Sequence, residues 1–318
     1  MSIPDKIVKS ERVKDSPSFL NNKKMSSKLL AKQKTFFLVR NKSVKKTEML
    51  ADLFLEEADK RGIKTSYDVQ YARKPHELRY TEFFGALGGI FIGPACGKFL
   101  QFMLDREFRG RIKNLEYFIQ GRPDKYVLHN YPIPRMDCSV ILPGSNLLSK
   151  EFLDKRKLDA AVALGAKIKP HPLTNEATMK NAFKDYPKDR ILPRHYSGWN
   201  VMMNSNYIFT TGASELSLLA ILKNKYVIDI STNRPGGGYF DIFKRVAKCQ
   251  NQKLALNLYY SHPGSGIIMD HGNDKANLQE INNYLNFYQT ELKVWQDKFA
   301  EDVYSGKKKI QFKLIADV

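Results

Sequence analysis

The sequence predicts an α/β protein of two domains with a basic arm in front of them. The chain has 318 residues, which exceeds the size that one hydrophobic core usually reaches. Apolar residues make up 42% of it and charged residues 27%, a balance typical of chains with a buried core. Strand-like runs alternate with helix-like segments, and this order favours a parallel sheet with right-handed crossovers.

The N-terminal part is predicted to contain the arm and the first domain. Residues 1–34 are rich in Lys, Ser and Asn with scattered apolar positions, which indicates a basic arm that orders only on a partner. The first domain is predicted over residues 35–134. Its expected elements are a strand over Thr35–Arg40, a helix over Thr47–Arg61 that Gly62 ends, and strands over Thr65–Tyr71, Leu115–Ile119 and Tyr126–Leu128.

From Cys138 the pattern becomes regular, and a second domain is predicted over residues 135–275. Its expected strands are Ser139–Leu142, Ala166–Lys169, Arg190–Leu192, Tyr207–Thr210 and Tyr226–Ile230. Its expected helices are Lys150–Leu164, Asn175–Phe183, Ser214–Leu222 and Phe240–Ala247. An irregular segment then leads to a helix over about Lys275–Val303, and residues 276–318 comprise this helix and a basic tail.

The net charge predicts a polyanionic partner or an anionic surface. The chain carries 52 Lys and Arg against 33 Asp and Glu, a formal net charge of +19. Charge of this size increases self-repulsion in the folded state. A solvated basic surface that serves solubility alone is therefore the less favoured interpretation.

Cysteine usage and hydropathy predict a cytoplasmic protein. Cys96, Cys138 and Cys249 lie far apart and show no metal-ligand spacing, so they are expected to be reduced thiols. No apolar run approaches the ~18–20 residues that span a bilayer, and no signal peptide is recognised at the N-terminus.

Two segments place polar residues where predicted strands of the second domain end. The first, Lys-Pro-His-Pro at 169–172, holds His171 between two prolines that restrict the backbone; taken alone, it also has the composition of an ordinary proline-rich turn. The second, Thr-Thr-Gly-Ala-Ser-Glu at 210–215, joins a strand to a helix, and helix N-termini bind phosphate through free N–H groups. Ser214 is also expected to cap that helix. Ligands of parallel sheets bind beyond the carboxyl ends of the strands, so both segments are predicted to face one phosphate-bearing ligand.

These two segments, at this spacing, resemble the nucleotide-binding C-terminal domain of GT-B glycosyltransferases, in particular those of capsular polysaccharide and polysialyl type. The similarity covers roughly residues 140–230. It implies two Rossmann-like domains with a cleft between them. In that family the histidine of the first segment contacts the donor phosphate and the later Ser/Thr turn binds the same group. The resemblance therefore implies phosphate contacts for His171, Thr211 and Ser214.

The expected donor is a UDP-sugar. Sialyl-transferring relatives carry an Asp/Glu-Asp/Glu-Gly tripeptide as the base, and this sequence contains none, which disfavours a CMP-sialic acid donor. No Asp-x-Asp metal motif, Walker A segment or GxGxxG segment is present either. No metal and no tightly bound cofactor are expected.

The chemistry of glycosyl transfer assigns roles to further residues. An inverting transfer needs a carboxylate base and a positive environment for the leaving diphosphate. Asp105 is the preferred base, with Asp68, Glu82 and Glu107 as alternatives, and His171 is the second predicted catalytic residue. Glu215 is expected to accept hydrogen bonds from ribose or only to favour the start of the helix. Arg234 belongs to a glycine-rich turn at the same carboxyl edge of the sheet and is expected to contact phosphate. The predicted donor-binding residues are Lys169, His171, Arg194, Thr211, Gly212, Ser214, Glu215 and Arg234.

The basic charge is the guide to the acceptor. It favours DNA, and the size and charge are similar to those of phage enzymes that glycosylate hydroxymethylated cytosine, although no extended motif is shared. One alternative is a capsule or cell-envelope glycosyltransferase that makes peripheral contact with the anionic inner membrane surface. A second alternative is a nucleic-acid-binding protein without catalytic activity.

Overall fold

The computed structural model describes residues 46–67, 77–83, 89–94, 111–119, 133–143, 153–172, 174–194, 196–212, 214–232 and 239–304. These residues form an α/β structure with two four-stranded sheets, which confirms the α/β part of the predicted fold class. The strands are β1 (Thr65–Tyr67), β2 (Leu78–Phe83), β3 (Gly89–Pro94), β4 (Met136–Ile141), β5 (Lys167–Lys169), β6 (Ser205–Thr210), β7 (Tyr226–Asp229) and β8 (Ile267–Met269). The predicted arm, the strands over Thr35–Arg40 and Tyr126–Leu128, and the basic tail lie outside the described residues.

From β4 onward, one or two helices follow each described strand. The helices are α1 (46–60), α2 (Lys155–Ala163), α3 (Glu176–Phe183), α4 (Gly198–Met203), α5 (Glu215–Leu222), α6 (Tyr239–Val246), α7 (Gln252–Ser261), α8 (Asp274–Phe287) and α9 (Lys293–Tyr304). One π-helical segment, Tyr288–Leu292, joins α8 to α9. No helix among the described residues is long and apolar enough to cross a membrane.

The second sheet is parallel throughout, as predicted. Its order is β5-β4-β6-β7, and each neighbouring pair is parallel. Side chains alternate between its two faces: Val140 and Leu142 belong to one apolar cluster with α2 and α3, whereas Ile141 belongs to a larger cluster with α4 and α5. Helices therefore cover both faces of this sheet, which leaves its edges for ligands.

The first sheet is mixed. Its order is β1-β2-β3-β8, with β1 parallel to β2 and with β3 antiparallel to both β2 and β8. Strand β8 lies within residues 135–275, the range that the sequence assigned to the second domain, yet it pairs with β3. A three-residue strand is too short for its periodicity to be recognised in a sequence.

Helix α5 connects the two sheets through the larger apolar cluster. Every residue of Leu216–Leu222 is buried, as expected for a helix that is apolar all round. The same cluster continues through α6 and α7 to the strands of the first sheet, and it includes α1 and α8. The described parts of both sheets thus share a continuous apolar core.

Local signals in the sequence located several helix ends. Asn175 caps α3 by accepting a hydrogen bond from the N–H of Thr178 at 2.7 Å, and Gly62, at φ 66°, ends α1. Gly62 donates to the carbonyl of Asp59 at 2.9 Å. Both assignments from sequence are confirmed, because caps depend on only a few consecutive residues.

Three local predictions are wrong. Leu115–Ile119 is a 3₁₀ helix rather than a strand; Leu115 and Phe118, three residues apart, are its inward-facing side chains. Arg190–Leu192 is the end of a short 3₁₀ turn followed by a single bridge between Ile168 and Ile191. The segment predicted to be irregular contains α7 and β8.

Candidate functional site

The order of the parallel sheet places a crevice between the carboxyl ends of β4 and β6. From β4 the chain moves to β5 on one side, and it later returns to β6 on the other side of β4. Such a reversal of strand order opens a crevice at the carboxyl edge, where ligands of open α/β sheets bind. The Thr210 hydroxyl donates to the carbonyl of Ile141 at 2.8 Å and ties these two strand ends together.

The turn after β6 contains the N-terminus of α5. Ser214 is its N-cap, and its Oγ accepts a hydrogen bond from the N–H of Leu216 at 3.3 Å. Ser214 and Glu215 are part-exposed, whereas Thr211 is only 2% exposed. The expected capping role of Ser214 is therefore confirmed, and Thr211 lies beneath the surface at which a ligand would arrive.

The segment after β5 holds His171 at the same edge of the sheet. His171 is part-exposed, and Pro170 before it is buried. The carbonyl of His171 accepts a hydrogen bond from the N–H of Thr174 at 3.0 Å. The structure thus brings His171 and Ser214 to the carboxyl edge of the second sheet, which we call the rim, on either side of the end of β4.

Lys169 is a buried lysine and does not lie on the surface of the rim. Its side chain is 1% exposed, and its Nζ donates to the carbonyl oxygens of Pro170 and Arg194, the latter at 3.0 Å. Burial lowers the pKa of this ammonium from 10.5 to about 7. The sequence placed Lys169 among the donor contacts, but its amine bonds to backbone oxygens instead.

Arg194 lies behind the His171 segment. Its NH1 donates to the carbonyl of Thr174 at 3.0 Å, and its NH2 is 3.8 Å from a carboxylate oxygen of Glu176. The side chain is 15% exposed. Arg194 therefore supports the loop that contains Thr174, in addition to any contact that it makes with a ligand.

The distance across the rim sets the minimum length of a ligand that contacts both His171 and the N-terminus of α5. Strands β5 and β6 both flank β4, and neighbouring strands lie ~4.8 Å apart, so their ends are separated by about 10 Å. A ligand held by His171 and by the N-terminus of α5 must extend over the end of β4. A molecule with several polar groups in line, such as a nucleotide diphosphate, has this form.

The structure adds three residues that the sequence did not single out. Asp229, at the end of β7, accepts hydrogen bonds from the N–H and the hydroxyl of Ser231, both at 2.9 Å. Lys157 donates to the carbonyl of Ser231, and Lys244 to that of Thr232, each at 2.9 Å. They belong to β7, α2 and α6, and each bonds to Ser231 or Thr232, so no pattern within one element predicts these contacts.

Several predicted residues lie outside the described part of the chain. These are the proposed base Asp105, its alternatives Asp68 and Glu107, and Arg234 of the glycine-rich turn. Glu82 is described as part of β2. Among the described residues, no group of three or more His, Cys, Asp or Glu side chains is arranged to hold a metal ion.

Comparison with known proteins finds no match to this chain among protein-family models, curated proteins or solved structures.

Proposed function

We propose that the chain is a glycosyltransferase with a Rossmann-like donor domain that binds a UDP-sugar at the carboxyl edge of the second sheet. The observation that carries the proposal is the reversal of strand order at β4, with His171 on one side of it and the N-terminus of α5 on the other. Anions bind at such helix N-termini because of the free N–H groups and the helix dipole. The resemblance of these segments to GT-B donor domains supports the same assignment.

The residues at the rim suit the departure of a nucleotide diphosphate. His171 and the first turn of α5, with Ser214 at its start, stabilise negative charge that develops on the leaving phosphate. Thr211 and Gly212 shape the turn that presents this helix end, and Glu215 binds ribose hydroxyls. Asp105 remains the proposed base, and Arg234 a proposed phosphate contact; their roles are argued from the sequence.

The proposed acceptor is DNA that contains hydroxymethylated cytosine, modified in the cytoplasm. A net charge of +19 favours binding to the phosphate backbone, with an affinity that falls as salt rises. The alternative is an envelope glycosyltransferase, whose peripheral contact with an anionic membrane surface is favoured by the same positive charge.

The donor assignment is tested by substituting the two residues on either side of β4. We expect His171→Ala and Ser214→Ala each to weaken UDP binding about tenfold, because each removes a contact to the ligand worth ~1–1.5 kcal/mol. Isothermal titration calorimetry measures the affinities.

Ser197 is a matched control, because it caps α4 as Ser214 caps α5. Its hydroxyl accepts from the N–H of Asn200 at 3.3 Å. Ser197→Ala is expected to cost ~1 kcal/mol of stability and to leave UDP binding unchanged. If His171→Ala and Ser214→Ala both bind UDP as tightly as the parent does, the donor assignment is contradicted.

The acceptor is tested by incubating the protein with hydroxymethylated duplex DNA and a panel of UDP-sugars. Mass spectrometry of the digested nucleosides is expected to show one added hexose or pentose on the modified base. Transfer to an oligosaccharide with none to DNA would favour the envelope enzyme, and the absence of any nucleotide binding would favour the non-catalytic binding protein.

A further inference from the structure

We propose that Lys169 and Arg194 are positioning residues, which hold His171 at the carboxyl end of β5 through a closed ring of hydrogen bonds. The inference rests on the proposed function, since it gives a task to the residues behind the same site. Neither side chain is required to touch the ligand for this task.

The ring links two loops that are separated by some 20 residues of sequence. The Nζ of Lys169 donates to the carbonyl of Arg194 at 3.0 Å, and the guanidinium of Arg194 donates to the carbonyl of Thr174 at 3.0 Å. The N–H of Thr174 donates to the carbonyl of His171 at 3.0 Å. The chain itself, through Pro170, closes the ring back to Lys169.

The base of the ring is anchored in the parallel sheet. The N–H of Leu142 donates a hydrogen bond to the carbonyl of Lys169 at 3.1 Å, and the N–H of Leu192 donates to the carbonyl of Ile168 at 2.8 Å. One loop of the ring therefore starts at the end of β5, and the other starts at Leu192, which is bonded to β5. The ring therefore restrains the backbone of His171, from which the imidazole projects.

The burial of Lys169 argues for a role beyond packing. A lysine that is 1% exposed and whose pKa falls to about 7 incurs a desolvation penalty that an apolar side chain avoids. Methionine has a similar unbranched stem and no such penalty. Groups that reduce stability in this way are characteristic of sites where geometry serves function.

The test compares Lys169→Met with Lys167→Met. Lys167 lies on the same strand and also bonds a neighbouring segment, because its Nζ donates to the carbonyl of Asp189 at 2.7 Å, but it is not part of the ring. We expect Lys169→Met to bind UDP about tenfold more weakly than the parent, and Lys167→Met to bind as the parent does. Thermal unfolding of both variants shows whether the folded state is retained.

Hydrogen exchange provides a readout that does not need the ligand. In the unliganded protein, the amide of Thr174 is expected to exchange about tenfold faster in Lys169→Met than in the parent, because its bond to His171 belongs to the opened ring. The same amide is expected to be unchanged in Lys167→Met. Arg194→Met, which opens the ring at its more exposed side, replaces Lys169→Met if that variant does not fold.

The outcomes separate this inference from the proposed function. If the parent binds UDP and His171→Ala weakens binding, but Lys169→Met changes neither the affinity nor the Thr174 exchange, the positioning role is overturned. If the parent does not bind UDP, the proposed function fails. In that case faster Thr174 exchange in Lys169→Met still supports the ring, and unchanged exchange refutes it.

Discussion

At the scale of single residues, packing rather than backbone conformation accounts for the glycine at position 212. A glycine between a strand and a helix often serves to permit a tight turn through its backbone freedom. The φ of Gly212 is not among the positive values found at four other described glycines. A Cβ at this position would instead lie 2.9 Å from Cδ1 of Phe243 on α6. The absence of a side chain lets α6 pack against the turn before α5.

Gly212→Ala is therefore expected to destabilise the protein by roughly 1–3 kcal/mol through overpacking, and to weaken UDP binding by displacing the first turn of α5. Denaturant unfolding measures the loss. In a double-mutant cycle, Phe243→Ala removes the ring that the new methyl group meets, so the double variant should lose less stability than the sum of the single losses. Additive losses would show that the contact with Phe243 is not the constraint.

At the scale of elements, a largely buried carboxylate connects the segment before the 3₁₀ helix at Leu115–Ile119 to α8. Glu280, on α8, accepts hydrogen bonds from Lys113 at 2.9 Å and from Nε2 of His271 at 2.5 Å. Burial raises the pKa of Glu280, but the hydrogen bonds from His271 and Lys113 and the electrostatic attraction of both groups outweigh it, so the pKa lies below its ordinary value. Glu280 therefore joins the segment before the 3₁₀ helix, the end of β8 and α8.

Glu280→Gln is expected to destabilise the protein by about 2 kcal/mol at pH 7, because it removes the charge that pairs with Lys113 and His271. The folded-state pKa of Glu280 lies below its unfolded value. The stabilisation of the folded state by ionised Glu280 is therefore complete above pH ~5 and is lost as pH falls through the folded-state pKa.

Urea unfolding of parent and variant at pH 7 and at pH 3.5 measures this dependence. The stability difference should be smaller at the lower pH. Asp159→Asn is the control. Asp159 pairs with Lys155 and accepts a hydrogen bond from the Tyr186 hydroxyl at 2.5 Å, but it is about half exposed, so the variant should change stability by less than ~1 kcal/mol. A difference between parent and Glu280→Gln that is independent of pH would contradict the assignment.

At the scale of the whole molecule, the C-terminal part of the chain completes the first sheet. The N–H of Ile92, on β3, donates to the carbonyl of Gly266 at 2.7 Å, just before β8. Arg61, at the end of α1, donates to the side chains of Asn282 and Asn286 on α8, at 2.6 and 2.7 Å. Residues far apart in the chain therefore form one structural unit around the first sheet.

Two glycines with left-handed backbone conformations provide a test of the pairing between β3 and β8. Gly266 and Gly272 have φ values of 66° and 67°, so alanine costs each about 1–2 kcal/mol of backbone strain. A Cβ at Gly266 would in addition lie 1.6 Å from the carbonyl oxygen of Ile92, whereas nothing lies within 4 Å of one at Gly272. Gly266→Ala is expected to lower the thermal midpoint far more than Gly272→Ala. Equal shifts would be inconsistent with the pairing of β8 and β3.

The sequence predicted those features that depend on neighbouring residues. Apolar periodicity and capping located α1, α3 and α5, and alternation of strands with helices predicted the parallel second sheet. The same local signals indicated that His171 and Ser214 follow strand ends. Periodicity failed at Leu115–Ile119, where a five-residue segment contains too few turns to distinguish a 3₁₀ helix from a strand.

By itself, then, the sequence determined the α/β class, the second sheet and the edge at which its polar segments meet, because hydrophobic period and caps are properties of short stretches of chain. Only the tertiary structure decided that Lys169 is buried behind that edge, that Lys157 and Lys244 reach it, and that β8 closes the first sheet. Those outcomes depend on which distant segments pack together, and the free energy of such packing is not encoded in any local pattern.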